Sequence, residues 1–428
     1  MSESTAPANE VHFKIAIPDD ALTLLHQKLA ITRFPDELDD AGWEYGAPLD
    51  DVRRLGVRWK NGFDWRAQEA KLNAELPMFT RDLDVEGHGT LNVHYVHKRS
   101  EVEAAIPLLF VHGCEVATFV LRGVPLTKAP AGPGSFLEVR KILPLLTASS
   151  PDHPSFHVVA LTLPGYAFSE APRKKGFKLA HYGELANKLM LSLGYKEYVT
   201  QGGDWGSLIT TYTASKYGPD HVKASHINFP LSVPPTPTTA PLQSLKYLLS
   251  WYTPAEKAGL QRTQEFAATG RGYWMEQSTQ PQTLGYSLAD SPIGLLAWVY
   301  EKLVNWTDAY PWDDDEVLTW VSVYWFSRSG PAASIRIYYE LRKSGEAAKM
   351  PRPTVPLGLS RFPREIRVLP KDWSWSMGNV VFDAEHESGG HFAAHEKPEE
   401  LVGDLRKMFG KGGPAFGVVL GKNGYVPA

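Results

Sequence analysis

A single cysteine, Cys114, stands in 428 residues, so no intrachain disulfide can form. A reducing, intracellular compartment is the expectation, and the localisation reads as cytoplasmic. Also missing is any run of the ~18 apolar residues needed to span a bilayer. The opening stretch, residues 1–10, is polar and shows no leader or anchor pattern, so no membrane association is expected. Charge of one sign is scarce too. With 44 Lys and Arg against 48 Asp and Glu, the net charge is −4 and no basic stripe appears, which removes the electrostatic case for nucleic acid. Finally, no G-x-S-x-G occurs anywhere, which excludes a serine on the usual strand-to-helix elbow.

What is present is a carboxylate in that place. Gly202-Gly203-Asp204-Trp205-Gly206 has elbow spacing, small residues two before and two after the central one. Tyr198 to Gln201 reads as a buried strand before it, and Trp205 to Tyr217 as a helix stopped at Gly218. A serine attacking a saturated carbon would form an ether that could not turn over. An aspartate forms an ester, which water can cleave. An Asp elbow therefore points to an epoxide or alkyl halide as electrophile, against the plain reading of a Gly-Asp turn.

The surroundings suit a parallel sheet. A hydrophobic fraction of 43% with 13 tryptophans implies a large core. Pro107 to Val111 and Phe156 to Thr162 are short apolar strands, and with the strands Tyr198 to Gln201 and Ala224 to Phe229 they alternate with helices such as His181 to Leu193. That pattern predicts right-handed βαβ crossovers in an α/β fold. Before it, residues 12 to 100 read as irregular, with helical pieces at Asp20 to Ala30 and Leu49 to Lys60 and an alternating strand at Leu91 to His97. His94 and His97 on that strand face opposite sides and are poor joint metal ligands. After the proline-rich exit Pro230 to Pro237, about 110 helical, aromatic-rich residues read as a lid inserted into the core. The core resumes at Thr354 to Ser360 and Asn379 to Asp383 and ends in a helix, Pro398 to Phe409. Four divisions follow: 1–100, 101–229, a lid at 230–350, and 351–428. The acidic run Asp313 to Glu316 is expected to be a solvated loop rather than a cation site.

In this arrangement the nucleophile precedes an acid and then a histidine, at carboxyl ends of strands. His391 follows Gly389-Gly390 after the Asn379 to Asp383 strand, with His386 and His395 as flanking alternatives. Glu365 follows the Thr354 to Ser360 strand, with Asp383 and Asp372 as competing acids.

Together G-G-D-W-G (202–206), F-P-R-E-I (362–366) and G-G-H-F-A-A-H-E-K-P (389–398) resemble motifs of the microsomal-type epoxide hydrolases, a family with soluble fungal members. The resemblance covers almost the whole chain, with residues 1–100 similar to the family's amino-terminal meander. It implies an α/β-hydrolase fold, mostly parallel sheet with helices on both faces, and conversion of epoxides to vicinal diols. By resemblance Asp204 is the nucleophile, His391 the base that activates water, and Glu365 its acid partner. Tyr273, in G-R-G-Y-W, and Tyr338, in R-I-Y-Y-E, match the tyrosines that hold the epoxide oxygen, with Tyr339 as the alternative register. The implied partners are an epoxide and water, with no metal or organic cofactor, and the lids are candidates for pairing two copies into a homodimer. A haloalkane dehalogenase is the rival enzyme, and a folded but inactive scaffold the non-catalytic rival.

One motif is broken. The family's oxyanion loop reads H-G-W-P-G-S-F; here nineteen residues, Cys114 to Gly132, stand between His112-Gly113 and Pro133-Gly134-Ser135-Phe136 where the family has one tryptophan. The backbone N–H at that position, Cys114 here, should join that of Trp205 in binding the oxyanion. A retained intron explains the insert. A TGG codon split after its first base by an intron opening GTGAGGT would read Cys114-Glu115-Val116. An intron closing in GCAG before the remaining GG would read Ala131-Gly132. The insertion is then about 54 nucleotides, in frame. The competing reading is a genuine substrate-gating loop.

Overall fold

The computed structural model describes residues 10–113 and 133–426. Among these, nine strands form one sheet in the order β1-β2-β3-β5-β4-β6-β7-β8-β9. The strands are β1 Val11–His12, β2 Met78–Val85, β3 Gly89–Lys98, β4 Ile106–Val111, β5 Phe156–Leu161, β6 Tyr198–Gly202, β7 Val222–Ile227, β8 Leu357–Arg361 and β9 Val380–Glu385. From β5 to β9 every pairing is parallel. Strands β4, β5 and β6 are buried at every position, as expected of parallel strands covered on both faces.

The amino-terminal region is more regular than its sequence suggests. A helix, Trp65–Glu75, capped by Asp64, and strand β2 occupy part of what reads as irregular. β2 pairs antiparallel with β3, and β3 with β5, so this region extends the sheet itself. Outward charges at Asp82 and Asp84 among inward Leu83 and Val85 carry the alternation. The two β3 histidines serve separate contacts. His94 Nδ1 meets Thr162 Oγ1 at 2.7 Å, whereas His97 meets Glu10 and Tyr195.

Between β7 and β8 the chain builds the lid. Four of its helices, Pro241–Leu248, Pro254–Glu265, Pro281–Asp290 and Pro292–Asn305, begin with proline at the first turn, where its missing N–H costs nothing. The acidic run is not a solvated loop. It starts the helix Asp314–Trp325: Asp313 caps it by accepting from the N–H groups of Asp315 and Glu316. Asp314 then pairs with Arg54 and Asp315 with Arg58, tying the lid to the helix Leu49–Asn61. Carboxylates are favoured at that helix end, and the amino-terminal arginines supply partners that sequence spacing does not reveal. Among the described residues no cluster suits a metal ion and no helix is long and apolar enough to cross a membrane.

Candidate active site

At the end of β6 the chain turns through Asp204, whose φ of 56° lies in the left-handed region, and enters the helix Trp205–Tyr217. The turn needs a glycine at 206. A Cβ there would sit 1.7 Å from the carbonyl oxygen of Val111, at the end of β4. Holding a non-glycine residue in that conformation costs on the order of 1–3 kcal/mol. The return is a side chain projecting over the carboxyl ends of the central strands, where open α/β sheets bind their ligands.

Two residues from distant segments meet it there. His391 Nε2 lies 2.6 Å from Asp204 Oδ2, and His391 Nδ1 lies 2.7 Å from Glu365 Oε1. All three side chains are buried. Glu365 Oε1 also accepts from the N–H of Ile366, which fixes the carboxyl plane. Burial pushes the Asp204 carboxyl up to about 6, a rise restrained by His391, His112 and the N–H of Trp205. Burial alone would depress the imidazole, but the Glu365 and Asp204 carboxyls outweigh it and hold His391 well above its usual value. Near neutral pH the pair is thus carboxylate and imidazolium.

The competing groups are engaged elsewhere. His386 pairs with Asp404 at 2.6 Å, and His395 with Glu316 at 2.8 Å. Asp383 holds Arg361, and Asp372 holds Lys246. Tyr338 is fully buried with its ring edge-on to Trp205, 5.7 Å between centroids. Tyr339 is only half-buried, beneath the Lys343 ammonium. Tyr273 packs 5.3 Å from Trp306, whose ring lies 5.2 Å from His391. It follows the π-helical turn Phe266–Gly270, a local irregularity often found at functional positions. The N–H of Trp205 donates to Asp204 Oδ1. Cys114, the other expected oxyanion donor, lies outside the described residues, as does the rest of the insert.

Several contributors lie outside the three relay residues. The His391 N–H donates to the carbonyl of Trp306, 2.8 Å away. A Cβ on Gly390 would meet that same oxygen at 2.4 Å, so the glycine pair lets the imidazole loop lie against the lid. Glu396 accepts from the N–H groups of Gly390 and Asp308; burial pushes its carboxyl up to about 7. Arg262 donates from the lid to the carbonyls of Arg364 and Glu365. Beneath Gly203, His112 Nδ1 lies 2.5 Å from Glu138 Oε1. Burial pushes His112 down to about 3 and holds Glu138 well above the carboxylate range, so both are neutral. The S-x-x-E spacing of Ser135 and Glu138, a capping box, is the one sequence signal that marks this pair.

A mostly parallel sheet, an elbow between strand and helix, and an inserted helical lid define an α/β-hydrolase. Models of the epoxide hydrolase N terminus and of the alpha/beta hydrolase fold match residues 10–118 and 128–269. The chain is 34% identical to epoxide hydrolase 1 of Sus scrofa, over 93% of this chain and 88% of that one. It is 37% identical to a Stigmatella aurantiaca protein with a provisional epoxide hydrolase name, over 93% and 84%. Among solved structures it superposes on Aspergillus niger epoxide hydrolase with a TM-score of 0.78 at 34% identity, covering 94% and 96%. It also superposes on the juvenile hormone epoxide hydrolase of Bombyx mori, with a TM-score of 0.80 at 27% identity, covering 94% of each. The chain belongs to the epoxide hydrolase family.

Proposed function

We propose that the protein converts epoxides to vicinal diols through an ester on Asp204. The observation that carries this reading is the Asp204–His391–Glu365 relay, 2.6 and 2.7 Å in its two links, on a strained elbow. Asp204 attacks an epoxide carbon, the C–O bond breaks, and the oxygen takes up the charge. The alkoxide's conjugate acid has a pKa of ~15, near that of water, against about 10 for a phenol. A tyrosine therefore stays protonated at neutral pH yet yields its proton as charge develops, and Tyr273 and Tyr338 serve as donors.

Ester formation also prepares the second step. It removes the Asp204 charge, one of the two groups holding His391 protonated. The imidazole then falls toward its ordinary range and releases its proton to solvent, matching the proton that the donor tyrosine takes back from water, while Glu365 keeps the tautomer with Nε2 free. That nitrogen deprotonates the water that attacks the ester, and the N–H of Trp205 stabilises the oxyanion. Its collapse breaks the bond from the carbonyl carbon to the diol oxygen, which takes the remaining proton of the attacking water, and leaves an Asp204 carboxylate beside the imidazolium. The insert at 114–132 interrupts the loop expected to supply the second donor, so ester hydrolysis is the step it impairs.

The test is to quench the protein seconds after mixing with styrene oxide and map the mass increase. The ester is expected on the peptide bearing Asp204 and absent in Asp204→Asn. Label at another residue, or turnover of a bromoalkane in preference to the epoxide, would overturn the proposal.

A further inference from the structure

Outside the relay, one buried charge lies beside the reaction without a part in it. The lid helix Pro292–Asn305 carries Trp298 and Lys302 four residues apart, with Trp306 four further on at its C-cap, so the three share one face. Lys302 is 3% exposed. Its ammonium lies 5.0 Å from the ring centre of Tyr273 and 5.0 Å from that of Trp298. Trp306 closes the other side of Tyr273. The carboxylate of Glu301 bonds the same ammonium.

Burying an ammonium is costly unless something nearby rewards the charge. Glu301, 31% exposed, supplies part of that reward, and the faces of the Tyr273 and Trp298 rings supply another part. What the charge adds is a field on the Tyr273 ring. The face of a phenol attracts a cation weakly, whereas the face of a phenolate attracts it strongly.

We propose that Lys302 is a positioning residue that acts through Tyr273, making its phenol a stronger proton donor to the opening epoxide. This rests on the reading of Tyr273 as a donor. As the Asp204 oxygen bonds to carbon, the epoxide C–O electrons move to oxygen, which takes the phenol proton. The resulting phenolate, stabilised by the ammonium, regains a proton from water. Among the described residues, the other charged groups on elements packed against Tyr273 are Glu301 beside Lys302, Arg271 and Glu276 on or beside its own helix, and Arg336, Glu340, Arg342 and Lys343 on the helix Arg336–Ser344, of which Arg342 sits over Trp274. Asp290 ends the neighbouring helix and pairs with Lys28, and the His391 imidazole lies beyond Trp306. Among these, Lys302 is the cation seated on the Tyr273 ring.

The experiment measures single-turnover ring opening of styrene oxide and, separately, ester hydrolysis, across pH, for Lys302→Met, Lys302→Gln and Lys302→Arg. Removing the charge is expected to slow ring opening about tenfold at neutral pH and raise the alkaline limb of its profile by about one unit. Ester hydrolysis should be unchanged, and Lys302→Arg should restore both rate and limb. In a Tyr273→Phe background the Lys302→Gln effect should shrink below about twofold, since Tyr338 then carries the proton. Equal loss in both half-reactions with no movement of the limb would overturn the inference while leaving Tyr273 as donor. Unaltered ring opening in Tyr273→Phe alone would remove the donor reading and the inference with it. Should Lys302→Met fail to fold, the Gln and Arg pair gives the same comparison.

Discussion

If the insert at 114–132 impairs the proposed reaction, replacing it by one tryptophan should speed ester hydrolysis. The two flanks of the insert are adjacent: a Cβ on Gly134 would lie 2.9 Å from the carbonyl oxygen of Gly113. With Trp and Pro133 between those glycines, three Cα–Cα steps reach about 11 Å, more than the gap requires. The far flank is already anchored, because Trp320 donates to the carbonyl of Pro133 at 2.5 Å and Tyr324 to that of Gly134. Shortening the connection from about twenty residues to two removes ~2 kcal/mol of loop-closure entropy, about 2 °C in Tm for a chain this long. Restoring an oxyanion donor is worth ~3 kcal/mol of barrier, or about a hundredfold in ester hydrolysis. The kinetic effect dominates, so the decisive assay is decay of the Asp204 ester after a rapid quench. A shortened chain that hydrolyses the ester no faster than the full-length one refutes the claim of damage. Mature mRNA that retains the ~54 nucleotides separately refutes the intron.

Two further outcomes follow from the geometry. Because burial pushes Asp204 up to about 6 and only its carboxylate attacks, ring opening should fall about tenfold per unit below that pH; a limb near 4 in single-turnover rates would contradict the buried site. Gly206→Ala should unfold the elbow, since its methyl would meet the Val111 carbonyl at 1.7 Å. A loss of at least ~3 kcal/mol by denaturant titration is expected, and an unchanged midpoint would show that the turn is built differently.

The legible parts of this chain were those written in local pattern. An uninterrupted apolar run marks β4 and a run broken only by His157 marks β5, the glycine spacing marks the elbow after β6, and Pro398 opens the last helix where it should. Asp204, Glu365 and His391 could be picked out because each follows a strand. Less legible was whatever depends on a partner far along the chain. β2 carries Thr80, Arg81 and Asp82 and becomes a strand because β3 lies beside it. The acidic run became a helix cap because Arg54 and Arg58 reach it. His112 and Glu138 are separated by the insert, and beyond the Ser135–Glu138 capping box their 2.5 Å contact has no expression in spacing.

The same consideration changes what the lid does. Read from sequence it is an inserted cover that, by resemblance, contributes Tyr273 and Tyr338 to the site. In the structure the core supplies the three relay residues, but the lid orients two of them. Trp306 accepts the N–H of His391 and packs on its ring, Asp308 accepts from Gly389, and Arg262 clasps the carbonyls around Glu365. An imidazole held from one side by a carboxylate could still swing about its Cα–Cβ bond. Held by the lid through its own backbone as well, it keeps Nε2 on Asp204. On the proposed mechanism, lid opening wide enough to admit a bulky epoxide would therefore loosen the base together with the entrance and couple the rate of ester hydrolysis to lid closure.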